Sequence, residues 1–155
     1  FIDGKTADGS TVTYAFKFDG ELTACKFGDS DHAYGAVKEF THSKLYLKRS
    51  VNVLGSYTAE VSYTYEGGKY TRDSSVLKLS GTSYVTTTKD LTLSDGKIIP
   101  SGYKLKFTET DGSSYMSFTT DQGLTGRIKI EKSDSGWKIN GNADTSYFES
   151  LPYKK

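Results

Sequence analysis

Cysteine, proline, methionine and histidine are all scarce in this chain of 155 residues: one Cys, two Pro, one Met and two His. A lone Cys25 excludes an intrachain disulfide and any metal site built on a cysteine cluster. His32 and His42 stand ten residues apart in polar surroundings, not at the short spacing of a zinc site, and read as loop residues. Two prolines exclude a collagenous or polyproline chain. No apolar run approaches the roughly 18 residues that a membrane-spanning helix needs. Neither charge sign is in excess, with Lys+Arg at 20 and Asp+Glu at 19. No net field therefore draws the chain to nucleic acid or to an acidic substrate. Phosphate-cradling glycine loops, a dinucleotide fingerprint and a serine nucleophile elbow are missing. Asn52, Asn140 and Asn142 all fail the N-glycosylation pattern.

What the chain does have is Ser, Thr and Gly, together about a third of its residues, and 12 tyrosines. Alanine is scarce and leucine modest, so the composition favours strands over helices. Only 35% of the residues are hydrophobic. An all-β chain tolerates this, because each strand can keep one face wet. Tyrosine helps further, half-burying a ring while its hydroxyl stays in water.

Period-two alternation runs along most of the sequence. Val12, Tyr14, Phe16 and Phe18 alternate with Thr11, Thr13, Ala15 and Lys17. Asp19-Gly20 then turns the chain into 22–27, a hairpin signal. A short helical turn is expected around Ala36–Phe40. Strands follow at 45–47 and 51–53, and Tyr57 to Tyr65 alternate cleanly before Gly67-Gly68. Residues 76–79 read as a further strand. Gly81-Thr82-Ser83 reads as the junction between an antiparallel β unit at 1–81 and a second module at 82–155. In the latter, turns at Asp95-Gly96 and Asp111-Gly112 separate short strands, the spacing of a small barrel or sandwich.

Candidate chemistry is sparse. Asp29 with Asp31, Glu109 with Asp111, and Glu131 with Asp134 are carboxylates close in sequence, and read as solvated turn residues rather than an acid–base pair. The run 3–9 faintly resembles a calcium loop but lacks its spacing and closing Glu, so a turn is expected. Lys44, Lys48 and Arg49 near Tyr46 read as a solvated basic face rather than a phosphate patch. Cys25 reads as a small buried hydrophobe. The tyrosines offer two aromatic strips: Tyr57, Tyr63, Tyr65, Tyr70 and Tyr84 on one face, and Trp137 with Tyr103, Tyr115 and Tyr147 on another. Such strips stack on sugars, dock peptides or simply fill a core.

From Tyr84 to Ile130 the order of motifs is specific in combination. Tyr84-Val85-Thr86-Thr87 and Leu91-Thr92-Leu93 come first. Ile98-Ile99-Pro100-Ser101-Gly102-Tyr103 then leads into a central strand. Ser114-Tyr115-Met116-Ser117-Phe118 is an aromatic-bearing strand, and Gly123-Leu124-Thr125-Gly126-Arg127 turns into a late one. This stretch, with a tail to residue 153, resembles a bacterial SH3-like module of Gram-positive surface or secreted proteins. Tyr115 and Arg127 stand where such modules often carry groove-lining tryptophans.

The resemblance implies a small SH3-like barrel in the C-terminal half of an all-β protein. The unit before it is open to reading as a degenerate repeat. It further implies a non-catalytic extracellular module that binds cell-wall glycan or peptide or acts as a spacer. The alternative is a structural or protein-interaction domain with no small ligand. The residues expected at the ligand are Tyr103, Tyr115, Arg127, Trp137 and Tyr147. No enzyme activity, cofactor, metal, nucleic acid or membrane span is expected. The start at Phe1-Ile2-Asp3 without Met reads as an excised or mature segment, and the composition suits a secreted or cell-surface location.

Overall fold

The computed structural model describes residues 1–153; the last two residues of the expected 82–155 module lie outside them. The protein is all-β, with about 60% of its residues in strands and 2% in helix. The chain forms two compact units. The first comprises Phe1–Ser50 and Ala59–Ser75. The second comprises Val51–Thr58 and the chain from Val76 onward. Gly81-Thr82-Ser83 lies within the second unit, after a strand that already pairs there.

The first unit is built on β1 (Ile2–Lys5), β2 (Thr11–Phe18), β3 (Leu22–Phe27), β4 (Ala33–Tyr34), β5 (Ala36–Thr41), β6 (Lys44–Asn52), β7 (Ser56–Glu66) and β8 (Lys69–Arg72). β6 and β7 take only their residues 44–50 and 59–66 from this unit. β1, β2 and β3 form an antiparallel meander, and β3 joins β8 in the one parallel pairing described, Lys26 with Lys69 and Phe27 with Tyr70. The segment Ala36–Phe40, expected to turn helically, lies in β5, a strand paired with β6. Pairing with β6 wins over local propensity, since a two-residue turn at His42-Ser43 commits both arms.

From Thr13 onward the inner face of β2 is not the aromatic one, although Val12, which shares the aromatic parity, is buried. Thr13 and Ala15 are buried, while Tyr14, Phe16 and Phe18 are exposed. The cause is register. Ala15 sits opposite Cys25, both small and buried, so the inner face closes tightly. Thr13 satisfies its buried hydroxyl by donating 2.8 Å to the Gly35 carbonyl. On the outer face Tyr14 leans on His32, and His32 on Tyr34. The run 3–9 is the end of β1 followed by the turn into β2, tied by Ser10 N–H donating 3.1 Å to Asp8 Oδ1. Deeper in, Leu45, Leu47, Val61 and Phe27 form the core, with Phe27 stacked on Tyr70 and edge-on to Tyr63.

The second unit holds β9 (Leu77–Ser80), β10 (Tyr84–Thr86), β11 (Leu91–Thr92), β12 (Ile98–Ile99), β13 (Lys104–Thr110), β14 (Tyr115–Thr120), β15 (Thr125–Ser133), β16 (Gly136–Ile139) and β17 (Asn142–Ala143), then a 3-10 turn at Asp144–Ser146. β13 to β17 are a run of antiparallel neighbours. β9 and β10 both pair with β13, at opposite ends of it. β11 and β12 form a separate hairpin. Pro100 follows that hairpin, where no ladder donor is lost.

Leu105, Phe107, Met116, Phe118, Ile128 and Ile130 are fully buried on one face of this sheet. Phe107 meets Tyr57 and Phe148 edge-on. Buried Thr87 organises the rim. Its N–H donates to Tyr103 O at 2.9 Å, its carbonyl accepts from Gly102 N–H at 2.7 Å, and its Oγ1 donates to Pro100 O at 3.0 Å. Tyr103 N–H donates back to Oγ1 at 3.0 Å. A single side chain thus satisfies the turn that leads into β13.

The two glycines of the Gly-x-x-Gly turn have different tasks. Gly123 adopts a left-handed φ of 81°. Gly126 lies opposite Phe118, and a Cβ there would sit 2.6 Å from the Phe118 ring and 2.8 Å from Leu93. Replacing Gly126 with Ala should overpack this contact and cost about 1–3 kcal/mol, measured by denaturant unfolding. Thr87→Val, which keeps the shape but strips the hydroxyl, should cost about 1–3 kcal/mol by leaving Pro100 O and Tyr103 N–H without that partner.

Candidate functional site

The face of β13–β14–β15 opposite the core is where the second unit gathers functional groups. Alternation sends Tyr115, Ser117 and Thr119 outward from β14, and Thr125, Arg127 and Lys129 outward from β15. Ser117 lies directly across from Arg127, and Thr119 from Thr125. Arg127 reaches diagonally to lay its guanidinium on the Tyr115 ring, Cζ 4.0 Å from the centroid. Such a contact holds a planar donor fork flat and in place.

Glu109 reaches this face through a bulge. Phe107 pairs with Phe118 and Glu109 with Ser117, so Thr108 is an extra residue in β13. Had β13 continued from Phe107 in regular alternation, Glu109 would point into the core and Thr110 out of it. With the bulge, Thr110 is buried and Glu109 stands beside Ser117. The result is a shallow depression of about 410 Å³ lined by Thr108, Glu109, Ser117, Thr119, Thr125 and Arg127. It offers a carboxylate acceptor, a guanidinium donor and several hydroxyls that do both. Exposed Tyr84 lies on the next strand, opposite Lys106.

Of the five residues read from the sequence as ligand-facing, the structure brings together Tyr115 and Arg127. Trp137 and Tyr147 turn into the core instead. The Trp137 indole N–H donates 3.1 Å to the Asn52 carbonyl. Tyr147 packs buried after the 3-10 turn, with Lys89 Nζ 5.9 Å from its ring. Tyr103 is half-buried, its backbone held by Thr87. Of the first expected tyrosine strip, Tyr57, Tyr63 and Tyr70 are buried and Tyr84 is exposed, while Tyr65 packs on Tyr70 with ring centroids 4.9 Å apart. Sequence reading missed Ser117, Thr119 and Thr125, whose alternation was visible, and Glu109, whose bulge left no signal in the sequence.

Asp111 does not pair with Glu109. It closes the β13–β14 turn, Oδ1 accepting from Ser113, Ser114 and Tyr115 N–H at 3.0, 2.8 and 3.2 Å. Partial burial pushes its carboxyl up, but the Ser114 hydroxyl and these backbone donors outweigh it and hold the pKa well below the usual carboxylate range. Glu131 faces Lys129. Among the described residues no group of three or more His, Cys, Asp or Glu could hold a metal ion. No family model, curated protein or solved structure matches the chain.

The depressed Asp111 pKa links this turn to stability. Its contribution is complete above the unfolded value near 3.8 and is lost as pH falls below it. Asp111→Asn, which keeps one carbonyl acceptor, should lower stability at neutral pH by about 1–3 kcal/mol. The gap from wild type should close as the buffer is taken below about pH 4, in thermal melts run across that range.

Proposed function

We propose that the second unit is a non-catalytic, SH3-like binding module of a secreted or cell-surface protein, holding cell-wall glycan or peptide on the outward face of β13–β15. One observation carries this reading: the Arg127 guanidinium is stacked on Tyr115 beside a depression lined by Glu109 and hydroxyls. A flat surface of paired donors and acceptors suits a polymer that lies along a sheet and presents hydroxyl, amide and carboxylate groups in turn. Arg127 is pre-oriented to meet a carboxylate or amide carbonyl with both edges of its fork. Exposed Tyr84 adds an apolar ring face for a sugar or an aliphatic side chain.

A second reading, a structural or interaction domain with no small ligand, draws on the burial of Trp137 and Tyr147. That burial leaves fewer rings free for stacking. Insoluble Gram-positive peptidoglycan separates the two. The wild-type protein should be retained above an unrelated β-protein of similar charge. Arg127→Ala should weaken retention about tenfold or more, the loss expected for charge-assisted hydrogen bonds worth about 1.5–3 kcal/mol. Retention equal to the control, or untouched by Arg127→Ala combined with Tyr115→Ala, would leave the structural reading standing.

A further inference from the structure

A chain with only 35% hydrophobic residues leaves several of its largest ones on one outer face of the first unit. Tyr14, Phe16 and Phe18 alternate along β2 and share that face. Ile2 of β1 lies directly opposite Tyr14, and in β3 Ala24 lies opposite Phe16 and Leu22 opposite Phe18. Tyr34 of β4 joins them through His32, whose ring meets both Tyr14 and Tyr34. Phe18 is 76% exposed, Leu22 68%, Ile2 58%, Tyr34 49%, and Tyr14 and Phe16 36% each. Single exposed apolar residues are ordinary on a protein surface; the register makes these one continuous patch.

One end of the patch is an arm of two strands. β1 reaches no further along β2 than Ile2 opposite Tyr14, and β8 pairs with β3 only at Lys26 and Phe27. Residues 16–18 and 22–25 thus have only each other as strand partners. A hairpin of two strands is marginal by itself and gains from a covered apolar face. The side of the arm bearing Phe16, Phe18 and Leu22 stays open.

Area and charge narrow the occupant. At about 150–250 Å² for a whole aromatic side chain, the four rings leave about 400 Å² open, and Leu22 and Ile2 bring the patch to about 600 Å². Two such faces together bury about 1,200 Å², the size at which stable specific interfaces begin. Lys17 pairs with Asp19 at 2.9 Å, and Lys26 pairs with Asp31, so the lysines flanking the arm are already matched. Glu21 at the tip and Arg49, whose guanidinium lies 6.0 Å from the Tyr34 ring at the other end, form no ion pair among the described residues. The acidic surplus at the tip disfavours an anionic lipid surface or a nucleic acid. A second copy fits instead. Its flat apolar face complements this one, and an antiparallel arrangement turns each Glu21 tip toward the partner's Arg49 end.

We propose that the chain forms a twofold dimer in which the outer faces of β1, β2 and β3 pack on each other in this antiparallel manner. The interface lies wholly within the first unit and does not depend on the glycan or peptide reading of the second. Sedimentation of the whole protein from micromolar to millimolar concentration tests it, and wild type should show a monomer–dimer equilibrium. Phe18→Thr combined with Leu22→Thr keeps strand propensity and should weaken dimerisation about a hundredfold or more. Glu21→Lys should weaken it about threefold or more. Ile98→Thr, at an apolar residue of the second unit that is 59% exposed, should leave it unchanged. Hydrogen exchange needs no variant: in wild type the amides of 16–18 and 22–25 should exchange more slowly as concentration rises, and those of 98–99 should not. A wild type that stays monomeric at millimolar concentration, a dimer that survives the double substitution or is equally weakened by Ile98→Thr, or one indifferent to Glu21→Lys would each overturn the proposal. So would a monomeric wild type that binds phosphatidylcholine vesicles through Phe18 and Leu22, which would make the arm a membrane contact.

Discussion

Met116, Phe118 and Thr120 face inward only because β14 meets β15 with Met116 opposite Ile128 and Phe118 opposite Gly126. A slip of one residue would send that entire set to solvent and bring Tyr115, Ser117 and Thr119 into the core. The Phe118–Gly126 contact resists such a slip. The ring fills the space where a Cβ would stand, and no other residue of β15 offers that space, since Gly126 is its one glycine. The outward stack of Arg127 on Tyr115 is a consequence of the same register. Packing within the sheet and chemistry on its surface are therefore one constraint seen from two sides.

A chain with so few aliphatic residues needs more than apolar burial to hold its turns. Buried hydroxyls supply it. Thr13, Thr87, Thr110 and Thr120 are all buried, and each bonds the backbone of a neighbouring segment. Each such bond is worth about 1 kcal/mol net, but leaving the group unpaired would cost more, so these sites tolerate little variation. Asp111 extends the pattern to a charged acceptor serving three backbone donors. The abundance of threonine thus has an internal use besides its strand propensity.

The arginines show how differently one residue type is used. Arg127 projects from an outward position and is held by an aromatic ring. Arg49 and Arg72 sit on inner positions, with buried Nε–H groups that no protein acceptor meets. The lysines described in ion pairs of the first unit are exposed and matched by exposed acids. Among the described residues, the buried side-chain nitrogens that lack a hydrogen-bond partner belong to these two arginines.

The all-β class, most of the strands and the Asp-Gly turns were legible from alternation and turn chemistry, because both are local properties of the chain. Which face of β2 turns inward was not, since Ala15 and Thr13 are buried through partners at Cys25 and Gly35. Nor was the strand at 36–41, which exists by pairing with β6. Tyr115 and Arg127 were named from sequence, but Trp137 and Tyr147 were named with them, and only packing separates a ring that lines a surface from one that fills a core. Glu109 owes its place to the bulge at Thr108, and Arg49 to the parity of a strand whose partners lie elsewhere. Alternation is written in the chain; the side of the sheet that becomes the inside is settled only when distant strands meet.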